Sequence, residues 1–538
     1  MLSPLTKLPN NAKVAVIGSG VSGLMFTYYL GKLRPDVTIN IFESAKRSGG
    51  WINSWQTTDQ NGKPIMLERG PRTLRGVSDG TVLIMDTLKD LNQQNIIKCV
   101  EKNSEANRKF LLDTNNKLVQ VPSSIVSFAK FMINPLSKGL FTGMLGEWFR
   151  KPSPSIKNDE SVASFIGRRF GNDYIGKNIL SAIFHGIYAD DINELSAKRT
   201  LRDLYALEEK YGSIFKGSWE TAQEGKKNKT TGITKSDLSA CLKEYQQVFG
   251  KKESDLIGLS NNLKKYPMLG LKGGLEEFPK IVRKALEKLP NVNIILGKDA
   301  TKIVYEKSND TVSISLGSGE VANGFNHCRI TTNPSKMSLL VKSANEKLSQ
   351  DLDTVKSNTV LLVNYYLPGR DIIEKNLHGF GYLVPKSNNN PQKLLGVIFD
   401  SIIEKNFKPF EGTYSHPNSG PVQEYTKLTA MLGGHFLNQW SECTTPSKDI
   451  VIKAVKEALM SHLSVSEKDL DAGLWQYTVA ERCLPHFFVG YDAWQSSTEQ
   501  ELLNTYAAKV STGGMGFSKG PGVPDVIVDS FQDAMKLK

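Results

Sequence analysis

The stretch that most constrains the fold is "VAVIGSGVSGLMFTYYL", residues 14–30: an apolar strand, three glycines, then an apolar helix. The turn reads Gly18-Ser19-Gly20-Val21-Ser22-Gly23. In such a turn the first glycine permits the sharp bend, the second lets backbone approach a pyrophosphate, and the third lets the helix lie close on the strand. Free N–H groups and the helix dipole at that point favour phosphate. A second strand, "VTINIFE", ends in Glu43, 20 residues beyond Gly23, the spacing of an acid that holds a ribose hydroxyl. An acid there prefers a free 2′-hydroxyl, so FAD or NAD fits better than NADP. This part of the chain is therefore an α/β dinucleotide fold.

The next residues separate flavin from nicotinamide. Glu43 and Ser44 are followed by Arg47, Ser48, Gly49, Gly50 and Trp51. That order resembles the E-S-x-x-R-x-G-G extension of the flavin-containing amine oxidase superfamily, and the resemblance implies FAD; residues 484–538 hold no cysteine for a covalent link, so the FAD is expected to be non-covalent. Two glycines allow close backbone approach, and Arg47 can face a diphosphate. "LERGPRTLRG", residues 67–76, adds the turn Gly70-Pro71-Arg72-Thr73, whose arginines could neutralise cofactor or substrate anions.

The cofactor fold does not close in one piece. Glycines precede a helix start in "MLGLKGGLEEFPKIV" (268–282), and the strand-like "VNIILG" (292–297) and "HCRITTNP" (327–334) follow. The tail again gives strand, glycine-rich loop and helix, with Pro524 tolerated in a first helical turn and Asp525 favourable beside its dipole. Residues 77–267 read as mostly helical, with the Lys-rich 216–237 a loop or insertion. Strands follow between 358 and 434. The expected organisation is a split Rossmann-type FAD-binding domain (10–76, 268–334 and 481–538). Into it are inserted an antiparallel-sheet substrate domain (77–99, with an insertion over 209–267, and 335–480) and a helical membrane-binding domain (100–208).

Composition excludes several classes. Hydrophobic residues at 39% and charged residues at 23% describe an ordinary globular chain. The net charge of +12 suits an anionic substrate or membrane surface; nucleic acid ranks last, since no nucleic-acid-binding signature accompanies it. Five scattered cysteines with no CxxC pair argue for a reducing compartment and against structural zinc. No stretch reaches transmembrane length, and the first residues lack a secretory apolar region. The seven histidines are dispersed, so no metal site and no catalytic triad is expected, and no catalytic side chain is assigned. Hydride transfer to a flavin needs a positioned apolar substrate more than an acid or base.

"GPRTLRG", "FHGIYADD", "MLGLKGGLEEFPKIV", "GFGYLVP", "LLGVIFDS", "MLGG" and "CLPHFFVGYDAW" occur in an order that resembles the protoporphyrinogen oxidases, the fungal mitochondrial type above all. The resemblance spans nearly the whole chain. It implies oxygen-dependent, six-electron oxidation of protoporphyrinogen IX in heme biosynthesis, with hydrogen peroxide as by-product. It adds Ala300, Met515, Gly522, Val523 and Pro524 to the cofactor set. It implies that Phe380, Leu383, Leu395 and Met431 contact the macrocycle, that Gly186 lies where a larger residue would intrude, and that Lys109 stands for the propionate-binding arginine. Two departures stand out: lysine keeps the charge at 109 without the bidentate fork, and His185 stands where relatives often have arginine. Two alternatives remain, an FAD-dependent amine oxidase and a non-enzymatic Rab-escort-like binding protein. A homodimer stays open.

Residues 121–151 mix Phe, Met, Leu and Trp with lysines, and Phe128, Phe131, Met132 and Leu136 recur at helical spacing, with Lys130 and Lys138 placed to snorkel. The segment reads equally as a core-facing helix pair or a membrane-surface element. The resemblance favours the second, a peripheral contact with the mitochondrial inner membrane.

Overall fold

The computed structural model describes residues 7–152, 158–230, 238–410, 424–439 and 445–538. A five-stranded sheet runs in the order Val510–Thr512, His327–Ile330, Lys13–Ile17, Thr38–Glu43, Val292–Leu296, with every neighbour parallel. Strands buried on both faces need covering helices. Helix Val21–Leu33 and tail helix Val523–Lys536 supply one cover, tied where Ser530 Oγ donates to the Ser22 carbonyl at 3.2 Å. The five strands come from three distant stretches of chain, so the dinucleotide sheet is split. The strand order reverses direction at Lys13–Ile17, which places Gly18 at the switch point where such sheets bind ligands.

A seven-stranded sheet forms the second body: Leu474–Pro485, Ser357–Pro368, Tyr425–Gly433, Leu394–Ile398, Gly381–Leu383, Lys109–Leu112, Leu118–Gln120. It departs from the antiparallel expectation at one pair, since Gly381–Leu383 runs parallel to Lys109–Leu112. The region 77–267 is correspondingly less helical than expected, for its strands Ile97–Val100, Lys109–Leu112 and Leu118–Gln120 pair with sequence far downstream or with each other. Periodicity sees apolar spacing but not a remote partner.

Alternation divides the large sheet's faces. Leu361, Val363, Tyr365 and Leu367 pack with Tyr382 and with helix Lys448–Leu463, whereas Val360 and Leu362 join Leu395 and Met431 on the opposite face. Helix Ser181–Tyr188 closes that second face through Ala182, fully buried against Leu111, Phe131 and Leu136.

Two expectations are corrected here. The Lys-rich 216–237 is not a loop over its first part: helix Ile214–Thr230 covers it, and residues 231–237 lie outside the described residues. Its lysines and glutamates are good helix formers, and its first turn is anchored where Glu147 accepts the Ile214 N–H at 2.8 Å. The proposed stripe in 121–151 also splits. Phe131 and Leu136 are buried, while Ile125 (89% exposed), Ile133 (87%) and Phe149 (84%) point outward. The chain breaks at Asn134, whose side chain caps the turn Pro135–Ser137, so no single helical face continues through it.

Candidate functional site

The glycine turn is built as its spacing requires. Gly18 has φ +104°, and a Cβ on Gly23 would sit 2.0 Å from the Gly18 carbonyl oxygen, so only glycine lets the helix begin there. Thr331, at the end of the neighbouring strand, locks the turn by donating its hydroxyl to the Ile17 carbonyl at 2.9 Å. Helix Val21–Leu33 has no side-chain cap and no acid in its first turn, leaving its N–H groups for an anion. The second glycine pair docks on this turn: Gly49 N–H donates to the Ser19 carbonyl at 2.9 Å, and Gly50 and Gly20 lie back to back.

Glu43 ends its strand within reach of the turn, accepting from the Ser19 N–H at 2.7 Å and the Ser19 hydroxyl at 3.0 Å. Its other oxygen accepts the Ala45 N–H at 2.9 Å, with the Ser44 hydroxyl at 3.4 Å. A cavity of about 420 Å³ opens beside it, lined by Ile17, Gly18, Glu43, Ser44, Ala300 and Thr332 among others. The buried Thr332 hydroxyl has no partner there. The cavity, the unclaimed helix N-terminus and the acid at the second strand's end together fit the adenosine diphosphate half of FAD.

Two arginines take positions that the sequence does not reveal. Arg47 braces its own loop, donating to the Gly50 carbonyl at 2.6 Å and to Ser48 and Ile52 carbonyls at 3.2 Å, with Glu276 at 3.4 Å. It is thus not a free guanidinium waiting for a diphosphate. Arg72, nearly buried, pairs with Asp400 and donates to Thr429 at 2.9 Å, so it is neutralised by the large sheet rather than held for a cofactor anion. Gly70 in the same turn has a packing role, since a Cβ there would meet the Trp51 carbonyl oxygen at 2.0 Å.

The tail reaches the same region. Gly522 caps helix Val523–Lys536, Pro524 lies in its first turn, and a Cβ on Gly80 would strike the Pro524 carbonyl at 1.9 Å. Met515 lies in the loop before it. Arg199, missed by sequence reasoning, pins this loop: it pairs with Asp492 at 2.7 Å and donates to the Ser518 carbonyl.

On the large sheet, Leu395 and Met431 share one apolar cluster and Leu383 packs in the next, both on the face that helix Ser181–Tyr188 covers. Gly186 touches this wall, since a Cβ there would come within 2.9 Å of Leu383 Cδ2. Lys109 alternates with Phe110 and so lies on the same face as Leu111 and Leu383. Burial and the nearby Arg75 hold its ammonium below the usual lysine range. Phe380 is set apart. It packs on the cluster of the opposite face, with Tyr382, because side chains two apart along a strand share a face. One group of metal-type ligands exists among the described residues, Asp190, Glu194 and His486, and there His486 Nδ1 already contacts Asp190 at 2.6 Å as an ion pair.

With this geometry in hand, comparison with known proteins is specific. Residues 21–468 match the family described as flavin containing amine oxidoreductase, and the chain belongs to it: a FAD-dependent oxidoreductase. Within that class the chain is 55% identical to the protoporphyrinogen oxidase of Saccharomyces cerevisiae over 100% of both chains, and 24% identical to that of Homo sapiens over 97% of this chain and 98% of the other. It belongs to the protoporphyrinogen oxidase family. Among solved structures, a putrescine oxidase variant shares the fold at TM-score 0.62 and 11% identity, covering 98% of each chain. Cyclohexylamine oxidase from Brevibacterium oxydans does so at 0.56 and 11%, covering 98% of this chain and 99% of that one.

Proposed function

We propose that the chain oxidises protoporphyrinogen IX to protoporphyrin IX, passing six electrons to oxygen by way of FAD and releasing hydrogen peroxide, in heme biosynthesis. The observation that carries this reading is identity to a protoporphyrinogen oxidase along the entire chain, 55% with no uncovered part. When bound, the flavin accepts hydride equivalents from the substrate and returns electrons to oxygen.

The protein's own contribution is placement. Leu383 and Met431, with the buried Leu395, form an apolar wall on which a macrocycle would lie with water excluded, and Gly186 keeps helix Ser181–Tyr188 close against it. Lys109, with Arg75 near it, gives one edge a cationic character suited to carboxylates. The tail helix begins just after Gly522, and its first-turn N–H groups would favour the negative charge that a reduced flavin would carry. No acid or base is required for the hydride step.

The exposed apolar residues of 125–149 support a peripheral membrane contact, read here as the mitochondrial inner membrane. Ile125, Val126, Ile133, Phe141, Leu145 and Phe149 are all more than half exposed, an unusual concentration for a surface facing water. Among the described residues no helix is long and apolar enough to cross a membrane. The +12 charge adds attraction to anionic lipid. The test of the activity is anaerobic mixing of the purified flavoprotein with protoporphyrinogen IX. Flavin bleaching with growth of porphyrin fluorescence is expected, and oxygen should then restore the flavin and yield peroxide. Turnover of benzylamine or polyamines in its place would overturn the reading.

A further inference from the structure

Helix Ser181–Tyr188 and the chain after strand Gly381–Leu383 run side by side as a zipped seam. The Ser387 N–H donates to the Lys177 carbonyl at 3.3 Å, and the Lys386 N–H donates to Ser181 Oγ at 2.9 Å. His185 Nδ1 meets the Val384 carbonyl at 2.8 Å. The next rung is the contact of Gly186 with Leu383, so the histidine holds the seam one residue before the point where it reaches the apolar wall.

The hydrogen bonds fix both tautomers. A carbonyl oxygen only accepts, so Nδ1 of His185 carries its proton and its Nε2, in the neutral ring, is an acceptor. That Nε2 lies 3.0 Å from His435 Nε2, which must therefore be the N–H donor. The two rings meet edge to edge, centroids 5.0 Å apart and planes 26° apart, and the His435 ring lies 3.9 Å from that of Phe436, which packs on the cluster of Leu395 and Met431. His435 also closes the helix itself, its backbone N–H donating to the Ala189 carbonyl at 3.0 Å. Gly434 before it has no room for a Cβ, which would fall 2.0 Å from that same carbonyl oxygen. Burial disfavours charge on both rings; around His435 the Lys386 ammonium acts with it, and the carboxylates of Asp190, Asp191 and Glu194 oppose it without prevailing. His185 is thus bonded to two strands' ends at once: Val384 after one wall strand and His435 after another.

We propose that His185 and His435 are positioning residues, a neutral histidine clamp that holds Gly186 against Leu383 and so fixes the shape of the wall that receives the substrate. This rests on the reading above that the wall takes the porphyrinogen. Neither ring nitrogen of His185 is free to touch a substrate, so the clamp acts through Gly186 and Leu383. It also gives the arginine-to-histidine departure at 185 a meaning: a neutral ring with one donor and one acceptor fits between a carbonyl and a second imidazole, where a guanidinium would bring a permanent charge into a buried site.

The test compares the full-length holoenzyme with His435→Phe, which keeps an aromatic ring and loses the N–H, and His435→Gln, whose amide restores a donor near the position of Nε2. Expected for His435→Phe is a rise in KM for protoporphyrinogen of roughly tenfold with kcat within about twofold, because the loss is in substrate placement. Flavin content and melting midpoint should match wild type, and His435→Gln should recover most of the KM. His185→Asn, whose shorter amide still donates to Val384 but no longer reaches His435, should repeat the rise. A wild-type KM in both His435→Phe and His185→Asn overturns the clamp, and so does a Gln variant as impaired as the Phe variant with a lowered midpoint, which marks a merely structural site. A flavin-loaded wild type without porphyrinogen turnover overturns the functional reading and removes the clamp's role with it; a wild type that turns over beside unaffected variants overturns the clamp alone.

Discussion

Ser19 gives both its backbone N–H and its hydroxyl to one carboxylate oxygen of Glu43, at 2.7 and 3.0 Å. The bond joins the glycine turn to the end of the second strand and positions the acid beside the cavity. Two glycines of that turn then predict different failures. Gly20→Val places a side chain where the protein itself offers only Gly50 Cα, 3.8 Å from a Cβ, so the fold should survive while flavin is lost. Gly23→Ala meets a carbonyl oxygen at 2.0 Å and should destabilise the fold itself, on the order of 2 kcal/mol or more. Absorbance at 450 nm against protein, with melting curves for each variant, separates the two; flavin-loaded Gly20→Val would remove the pyrophosphate from this turn.

The Arg72–Asp400 pair, with side-chain exposures of 9% and 6%, links the dinucleotide-side loop to the large sheet. Asp400→Ala leaves a nearly buried guanidinium with only Thr429, a loss of about 3–5 kcal/mol. Paired removal with Arg72→Met should recover much of the stability. Denaturant midpoints for the single and double variants read this out, and equal losses in both would show the charges to be uncoupled.

Flotation with cardiolipin liposomes checks the membrane contact. Ile133→Ser with Phe149→Ser alters outward side chains, so the protein should remain folded and flavin-loaded and lose most of its flotation. Phe131→Ser, by contrast, puts a hydroxyl into a site that is 5% exposed and should cost about 3 kcal/mol of stability. Undiminished flotation of the outward double variant would clear this face of a membrane role.

Acid sensitivity follows from buried histidines. His462 Nδ1 and the Tyr382 hydroxyl share a hydrogen bond of 2.9 Å, and burial lowers the His462 pKa to about 4. Between the ordinary histidine pKa, about 6.5, and that value the unfolded chain binds the extra proton, so this group's stabilisation is complete above pH 6.5 and shrinks as pH falls. The slope is about 1.4 kcal/mol per pH unit inside the window. His486 works the other way, its pKa raised mainly through the bond to Asp190 that outweighs burial, so its contribution is present at low pH and fades as pH rises through the raised value. His462→Asn should flatten the stability profile between pH 4 and 6.5; an unchanged profile would show that His462 does not titrate on unfolding.

The sequence by itself determined the dinucleotide half. Gly18, Gly23 and the pair Gly49-Gly50 are legible because each answers a local demand, a positive φ or a close backbone approach, that few other residues satisfy, and Gly20 and Glu43 are legible from their spacing to them. The tail helix is legible through Pro524, which a first helical turn tolerates, after a glycine-rich loop ending at Gly522. Tertiary structure alone decided where the charges went: Arg47 and Arg72 read as anion binders in the chain, and only the folded neighbours Glu276 and Asp400 show them engaged. It also decided which face each apolar residue took. Phe128 and Ile133 point out and Phe131 and Leu136 point in because a capped turn at Asn134 redirects the chain, and Phe380 left Leu383 because strand alternation, set by remote pairing with Lys109–Leu112, put them on opposite sides. His435, 250 residues from His185, has no local signature at all; its partnership exists only because two strands and a helix end at one place.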